Sequence, residues 1–257
     1  MPGRAQGSFK GWSGPEGKDG QVLGGNPESV GGQLKRLVSR VMVPRYSEAL
    51  DKANYYARFR EWFSKNAASM NVFETREALY QYLCADVNSG SPIDLLEFGV
   101  FQGESLMAWA AASPSPQSRF WGFDSFTGLP EDWVPGFGKG TYDLGGIPPQ
   151  LTDSRIQLLK GDFRETIPTF VESAKIRSRL VVHVDCDLYA SAMYSLVECR
   201  SLLAPGSILV FDEFSVPLHE FRVYLDFTKT FQSRLHPLAY AGRDAQQVAF
   251  RVDGLRM

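Results

Sequence analysis

The 257-residue sequence predicts an α/β fold: a mostly parallel sheet covered by helices, preceded by a helical segment and finished by an antiparallel hairpin. Three observations carry this expectation. Short apolar runs alternate with amphipathic helical patterns from Asp94 onward. The alternation ends in two strand-like runs with no room for a helix between them. Each apolar run stops in small or acidic residues, as strands do where an α/β sheet meets its ligand.

In chain order, Met1 to Gly32 is rich in Gly and polar residues and lacks apolar periodicity, which predicts a flexible arm over 1–32. QLKRLVSRVMVPR, Gln33 to Arg45, sets Leu34, Leu37, Val38 and Val41 among basic residues and predicts a short amphipathic helix packed on the body. Helical patterns follow over Ser47–Ala68 and Thr75–Asp86, the second with Thr75 as N-cap, so 33–90 forms a helical segment or lid. The turn-rich NSGSP, Asn88 to Pro92, marks the start of a main domain over 91–257.

In that domain Asp94–Val100, Arg119–Ser125, Ile156–Gly161, Leu180–Cys186 and Ser207–Glu213 are predicted strands, apolar enough to be buried on both faces. Glu104–Ala112, Arg164–Ala174, Tyr189–Leu203 and Leu218–Phe231 are predicted helices. Arg234–Tyr240 and Gln246–Val252, joined by AGRDA, should pair as a hairpin. Five parallel strands closed in this way make the seven-stranded, Rossmann-like pattern of class I methyltransferases, whereas a nicotinamide-binding domain more often adds another crossover helix.

Composition narrows the partners. A formal net charge of -2 gives no basic excess to draw in a nucleic acid backbone. Cys84, Cys186 and Cys199 are odd in number and lack zinc-ligand spacing, which fits buried, reduced thiols in a cytoplasmic protein. No apolar run approaches the ~20 residues of a membrane span, and MPGRAQGSFKGWSGPEGKDG lacks the apolar centre of a secretory signal.

The strand ends carry the chemistry. In LEFGVFQGES, Gly99 and Gly103 let the backbone approach a ligand beside Val100, and Ser105 lies in the first turn of a helix whose free N–H groups face the cavity. Glu97 either holds the ammonium of an amino-acid moiety or hydrogen-bonds the loop. The run is neither G-x-G-x-x-G nor a P-loop, which argues against a pyrophosphate ligand. In FWGFDSFTGLP, Asp124 is placed to accept from a ribose diol, with Ser125 and Phe126 bordering the sugar. In LLKGDFRET, past the Gly161 turn, Asp162 accepts from an adenine amine or caps the next helix, and Phe163 lies against the ring. Together these ends describe a pocket for a nucleoside attached to an amino acid, the shape of S-adenosylmethionine.

In HVDCDLYAS and FDEF, Asp185, Asp212 and Glu213 converge if their strands are neighbours. Three such carboxylates raise one another's pKa unless a cation neutralises them, and an all-oxygen set selects Mg²⁺. That ion would bind an acceptor hydroxyl and lower its pKa near the sulfonium methyl. Asp187 is either the general base or a loop-orienting residue. His183 reads as a satisfied core histidine, and His219 as a base or binding residue near the substrate. GFGKGTYDLGGIPP, Gly136 to Pro149, reads as a flap over the site.

In this order and spacing, LEFGVFQGES, FWGFDSFTGLPEDW, HVDCDLYAS and FDEF resemble the macrocin O-methyltransferase (TylF-type) family, over roughly Phe73 to Val252. The resemblance implies S-adenosylmethionine as donor, Mg²⁺ at Asp185, Asp212 and Glu213, a sugar or glycoside hydroxyl as acceptor, and a homodimer or larger homo-oligomer. It also implies an N-terminal segment that folds over the substrate. Better-known members carry two aspartates where this chain has Asp212 and Glu213. A nicotinamide-dependent oxidoreductase and a non-catalytic binding protein on a methyltransferase scaffold are the competing readings.

Overall fold

The computed structural model describes Gly32, Gln33, residues 43–216 and residues 218–255. Residues 1–31 of the arm expected over 1–32, and most of the helix expected over Gln33–Arg45, lie outside the described residues. The chain divides into two units, Met1–Glu48 and Ala49–Met257, and the sheet and the site belong to the second.

Helix α1 (Val43–Asn66) leads through a 3₁₀ turn into strand β1 (Asn71–Phe73). Next comes α2 (Arg76–Tyr82), whose N-cap Thr75 accepts from the Ala78 N–H at 3.3 Å, with a single π-turn, Leu83–Val87, extending its C-terminal end. The alternation then runs β2 (Ile93–Phe98), α3 (Glu104–Ala112), β3 (Arg119–Asp124), β4 (Ile156–Lys160), α4 (Phe163–Ser173), β5 (Arg179–Val184), α5 (Tyr189–Cys199), β6 (Ile208–Phe211) and α6 (Glu220–Thr230). The hairpin of β7 (Arg234–Ala241) and β8 (Gln247–Gly254) ends it.

The strands form one sheet in the order β1-β7-β8-β6-β5-β2-β3-β4, with β8 antiparallel to both its neighbours and every other pair parallel. The seven expected strands are all present. The sheet nonetheless has eight, because Asn71–Phe73 pairs parallel with β7 at the edge. Several expected strands also ran one to three residues too long: Val100, Ser125, Cys186, Asp212 and Glu213 lie just beyond the last ladder bonds.

Apolar side chains from both sheet faces make two layers of core. One packs Phe98, Val184 and Phe211 against Phe59, Ile167, Leu196 and Phe227. The other packs Leu95, Val181 and Val210 against Tyr80, Leu106 and Trp109, with the Tyr80 and Trp109 rings stacked 3.9 Å apart. Asp94, fully buried at the start of β2, is satisfied by Arg119 (Nε–Oδ1 2.9 Å) and by the Arg177 and Ser178 N–H groups, so the charge inside the strand is neutralised. The three cysteines are buried and unpaired. Among the described residues, no helix is long and apolar enough to cross a membrane.

Candidate functional site

A cavity of ≈ 860 Å³ opens where β2, β3, β4, β5 and β6 end, the position open α/β sheets offer to ligands. Its size lies in the upper part of the roughly 300–1,000 Å³ range of small-molecule sites. Of the expected residues, Gly99, Val100, Ser105, Asp124, Ser125, Gly161, Asp162, Phe163, Asp185, Asp187, Asp212 and Glu213 line it.

On the β3 and β4 side, Asp124 braces the wall. Its Oδ2 accepts from the Val100 and Phe101 N–H groups at 2.8 and 2.9 Å, and its Oδ1 accepts from Phe126 N–H at 2.7 Å. Those bonds hold the β2 loop against the β3 end and leave lone pairs facing the cavity. Asp162 caps α4, accepting from Arg164 N–H at 2.8 Å, while it also lines the cavity. The Phe163 ring meets Phe98 edge-on.

Gly99, at φ +92°, bends the chain so that it crosses the Asp185 backbone at a distance that leaves no space for a Cβ. The Asp185 N–H donates to the Phe98 carbonyl at 2.9 Å, and the Asp212 N–H to the Val184 carbonyl at 3.0 Å. The β2–β5–β6 register therefore places Asp185 and Asp212 side by side at the cavity floor.

Four expected residues do not line the cavity. Glu97 lies inside β2, fully buried, with Oε1 accepting from Ser105 Oγ at 2.8 Å and Oε2 bonded to His183 Nδ1 at 2.8 Å, which corrects its assignment to a ligand ammonium. Gly103 is the left-handed N-cap of α3 and is covered by the Leu151 side chain. Phe126, at φ +59°, turns its ring wholly into the core instead of bordering a sugar. His219 precedes α6, accepts from Tyr189 N–H through Nδ1 at 3.3 Å and meets Trp133 edge-on, outside the lining of the cavity.

The floor is strongly coupled electrostatically. Burial, then the charge of Asp212, push the Asp185 carboxyl well above the usual range. For Asp212, burial pushes upward and is outweighed by the neighbouring His183 imidazolium and by the Gln247 amide, so its carboxyl is held low. Burial opposes charge on His183 as well, yet Asp212 and Glu97 hold its imidazolium well above the ordinary value. Asp187, in a left-handed turn at φ +61°, is raised to about 7 by burial and then by Glu213 and Asp212.

Sequence reasoning grouped Asp185, Asp212 and Glu213 as cation ligands. Among the described residues, the compact set of possible ligand atoms is instead His183, Asp185 and Asp212, all within 4.8 Å of one another. Glu213 is tied to the Gln246 amide at 3.2 Å. Of the three, Asp185 and Asp212 line the cavity floor and His183 does not, and that carboxylate pair fits a divalent ion.

Several lining or supporting residues went unread. Arg76 borders the cavity near Asp212 and Asp185. Gln247 donates to Asp212 Oδ1 from β8, and its own buried Oε1 has no partner among the described residues. Tyr142 lines the cavity from the expected flap, with Phe101 meeting its ring edge-on. That flap is tied back by the Leu144 and Gly146 N–H groups, both donating to the Phe126 carbonyl. Only the i, i+2 spacing of His183 and Asp185, which puts both on one face of β5, was available as a signal.

Residues 96–214 match the family of methyltransferase domains. That stretch holds most of the cavity wall and its acidic floor. Among curated proteins, the chain is 27% identical over 158 residues to an 8-demethyl-8-(2,3-dimethoxy-alpha-L-rhamnosyl)-tetracenomycin-C 4'-O-methyltransferase of Streptomyces olivaceus, covering 52% of this chain and 59% of that one. It is 25% identical to a demethyldecarbamoylnovobiocin O-methyltransferase of Streptomyces niveus, covering 60% and 65%. The alignments thus span less than two thirds of these relatives' lengths. A solved calicheamicin methyltransferase superposes with TM-score 0.51 at 24% identity, covering 92% of this chain and 99% of that one. The O-methyltransferase NovP does so with TM-score 0.51 at 21%, covering 68% and 78%. These two likenesses establish the α/β methyltransferase-type fold.

Proposed function

We propose that the protein transfers the methyl group of S-adenosylmethionine to a hydroxyl of a sugar or other small glycosylated acceptor, with a divalent cation at the cavity floor. The observation that carries this reading is the coincidence of the methyltransferase-domain match with a cavity having a nucleoside-sized polar wall on one side and paired carboxylates on the other. The relatives' names suggest the acceptor class: one is named for a rhamnosyl-bearing tetracenomycin and another for demethyldecarbamoylnovobiocin.

The residues divide the work. Asp124 has lone pairs left for a ribose diol after bracing the loop, and Asp162 with Phe163 flanks the base. Asp185 and Asp212 would hold the cation, which supplies Lewis-acid polarisation of the acceptor oxygen. Asp187, facing the cavity one turn beyond them, is placed to take the hydroxyl proton on its carboxylate. The finer assignment to the macrocin-type enzymes rests on the four motifs, and Arg76 is a cavity-lining cation whose charge interacts with Asp212 and Asp185.

Calorimetry with S-adenosylhomocysteine tests the donor site, and absence of binding at millimolar ligand refutes it. Mass spectrometry of a panel of sugars and glycosides incubated with donor and Mg²⁺ or Mn²⁺ tests the transfer; full activity retained in EDTA removes the cation from the reading.

A further inference from the structure

Resting on the donor site just proposed, we infer that Arg76 holds the α-carboxylate of the donor's amino acid, taking it in exchange for Glu104. The support begins with the direction in which the donor lies. Around the cavity the strands run β6-β5-β2-β3-β4, and the base and ribose positions, Asp162 and Asp124, stand at the ends of β4 and β3. A nucleoside laid across those two strand ends sends its amino-acid arm over β2, toward the floor at β5 and β6. Glu97, the side chain expected to meet that arm, is closed off inside β2 by Ser105 and His183. The carboxylate of the arm therefore needs a partner from another element.

Among the described residues, three cations line the cavity, and their places in the fold separate them. Arg164 follows Asp162 at the base end, and Lys139 belongs to the connection between β3 and β4. Arg76, in the first turn of α2, reaches the loop that leads from β2 into α3: its Nη2 lies 3.3 Å from Glu104 Oε2, and its Nε 3.4 Å from Glu77 Oε1. Charge-assisted bonds of this kind close to about 2.7–2.9 Å, so both contacts are loose. Nη1 has no partner among the described residues. The guanidinium is thus a planar fork with donors to spare, shaped to take a carboxylate through two bonds at once. Glu104, 75% exposed, gives up little by turning to water, because such surface pairs contribute little.

The same place favours an anion on a second count. Gly103 caps α3 without a side-chain acceptor, and Glu104 and Ser105, in the first turn of that nine-residue helix, line the cavity. A carboxylate there meets the positive end of the helix as well as the guanidinium. The competing role for Arg76 is that of a counter-charge to Asp212 and Asp185, whose charges act on it. A counter-charge affects every adenosine ligand alike, whereas a carboxylate clamp affects only ligands that carry the carboxylate.

The test is calorimetry of the full-length protein with two ligands that share base, ribose and ammonium: S-adenosylhomocysteine and its decarboxylated analogue, in which hydrogen replaces the α-carboxylate. The wild type should bind S-adenosylhomocysteine at least twentyfold more tightly. Arg76→Met should weaken S-adenosylhomocysteine at least tenfold and the analogue less than twofold, so that the discrimination nearly disappears. Arg76→Lys, which keeps the charge without the fork, should fall between. Glu104→Gln, which removes the competing carboxylate, should bind S-adenosylhomocysteine at least as tightly as the wild type; weaker binding overturns the exchange. Equal affinity of the wild type for the two ligands needs no variant, and it overturns the inference while leaving the donor site intact. An Arg76→Met variant that weakens both ligands alike, or neither, does the same. Failure of the wild type to bind either ligand at millimolar concentration overturns the donor site and the inference with it.

Discussion

Replacing Gly99 by Ala should disturb the site more than any comparable change at another glycine. The built Cβ overlaps the Asp185 carbonyl oxygen, far inside van der Waals contact, and lies 2.7 Å from its carbon, and both atoms are backbone. Rotamer changes therefore give no relief. Separation is also opposed by hydrogen bonds on both sides, Gly99 N–H to Phe123 O at 3.0 Å and Asp185 N–H to Phe98 O at 2.9 Å. The left-handed backbone at φ +92° costs an alanine about 1–2 kcal/mol. Overpacking costs a further ~1–3 kcal/mol, and weakening one of those hydrogen bonds about 1 kcal/mol. The sum, roughly 3–6 kcal/mol, is a large share of the ~5–15 kcal/mol stability of a typical domain. Gly140→Ala is the control, because φ there is +83° and nothing lies within 4 Å of the new Cβ, so only the backbone penalty remains. Urea unfolding of the two variants beside the wild type measures the difference, expected to be at least ~2 kcal/mol. If both variants lose the same stability, the close approach of β2 and β5 does not hold the floor together.

Other outcomes follow from the same geometry. Asp185→Asn and Asp212→Asn should each cut methyl transfer at least a hundredfold while changing the calorimetric affinity for S-adenosylhomocysteine less than threefold; a variant that keeps turnover removes its carboxylate from the mechanism. Arg119→Met should cost about 3–5 kcal/mol in urea, because it leaves Asp94 buried without its counter-charge, and a loss under ~1 kcal/mol would show that the backbone N–H groups suffice. Glu220 is fully buried, with Oε2 accepting from Glu213 N–H and Oε1 unpartnered; burial, then the charges of Asp212 and Asp185, raise its carboxyl well above 4.5. The folded protein thus keeps a proton there that the unfolded chain loses above pH ~4.5, so this group's stabilisation is greatest in acid and declines as pH rises, by up to about 1.4 kcal/mol per unit. Glu220→Gln should gain on the wild type as pH rises above about 5, and a pH-independent difference in unfolding free energy would mean that Glu220 is ionised when folded.

The parallel strands were legible because most are apolar runs buried on both faces, and their polar ends pointed to the cavity; Ile156–Lys160 departs from that expectation, since it lies at the sheet edge and has no fully buried residue. Strand β1 was not: Asn71–Phe73 has three residues, Val72 is 60% exposed, and its partner β7 lies more than 160 positions away, so no local pattern marks it. The candidate residues at the strand tips mostly reached the cavity, whereas Glu97 and Phe126 turned inward, because alternation along a strand or a left-handed turn at one residue decides the side. Reading His183 as a satisfied core histidine agreed with its burial and its bond to Glu97. Gln247 and Arg76 were invisible for a different reason. Each meets the floor only through tertiary packing, one from the hairpin and one from the first turn of α2.

The position of β8 between β6 and β7 bears on how the molecule is made. Gln247, which steadies Asp212, is translated after every other residue of the floor, and β6 has an open flank until β8 arrives. A ribosome-bound chain lacking residues 247–254 would therefore expose an unpaired hydrophobic strand. Assembly of the pocket is accordingly deferred until β8 has left the ribosome, and nascent intermediates that stop short of it are where chaperone engagement should concentrate.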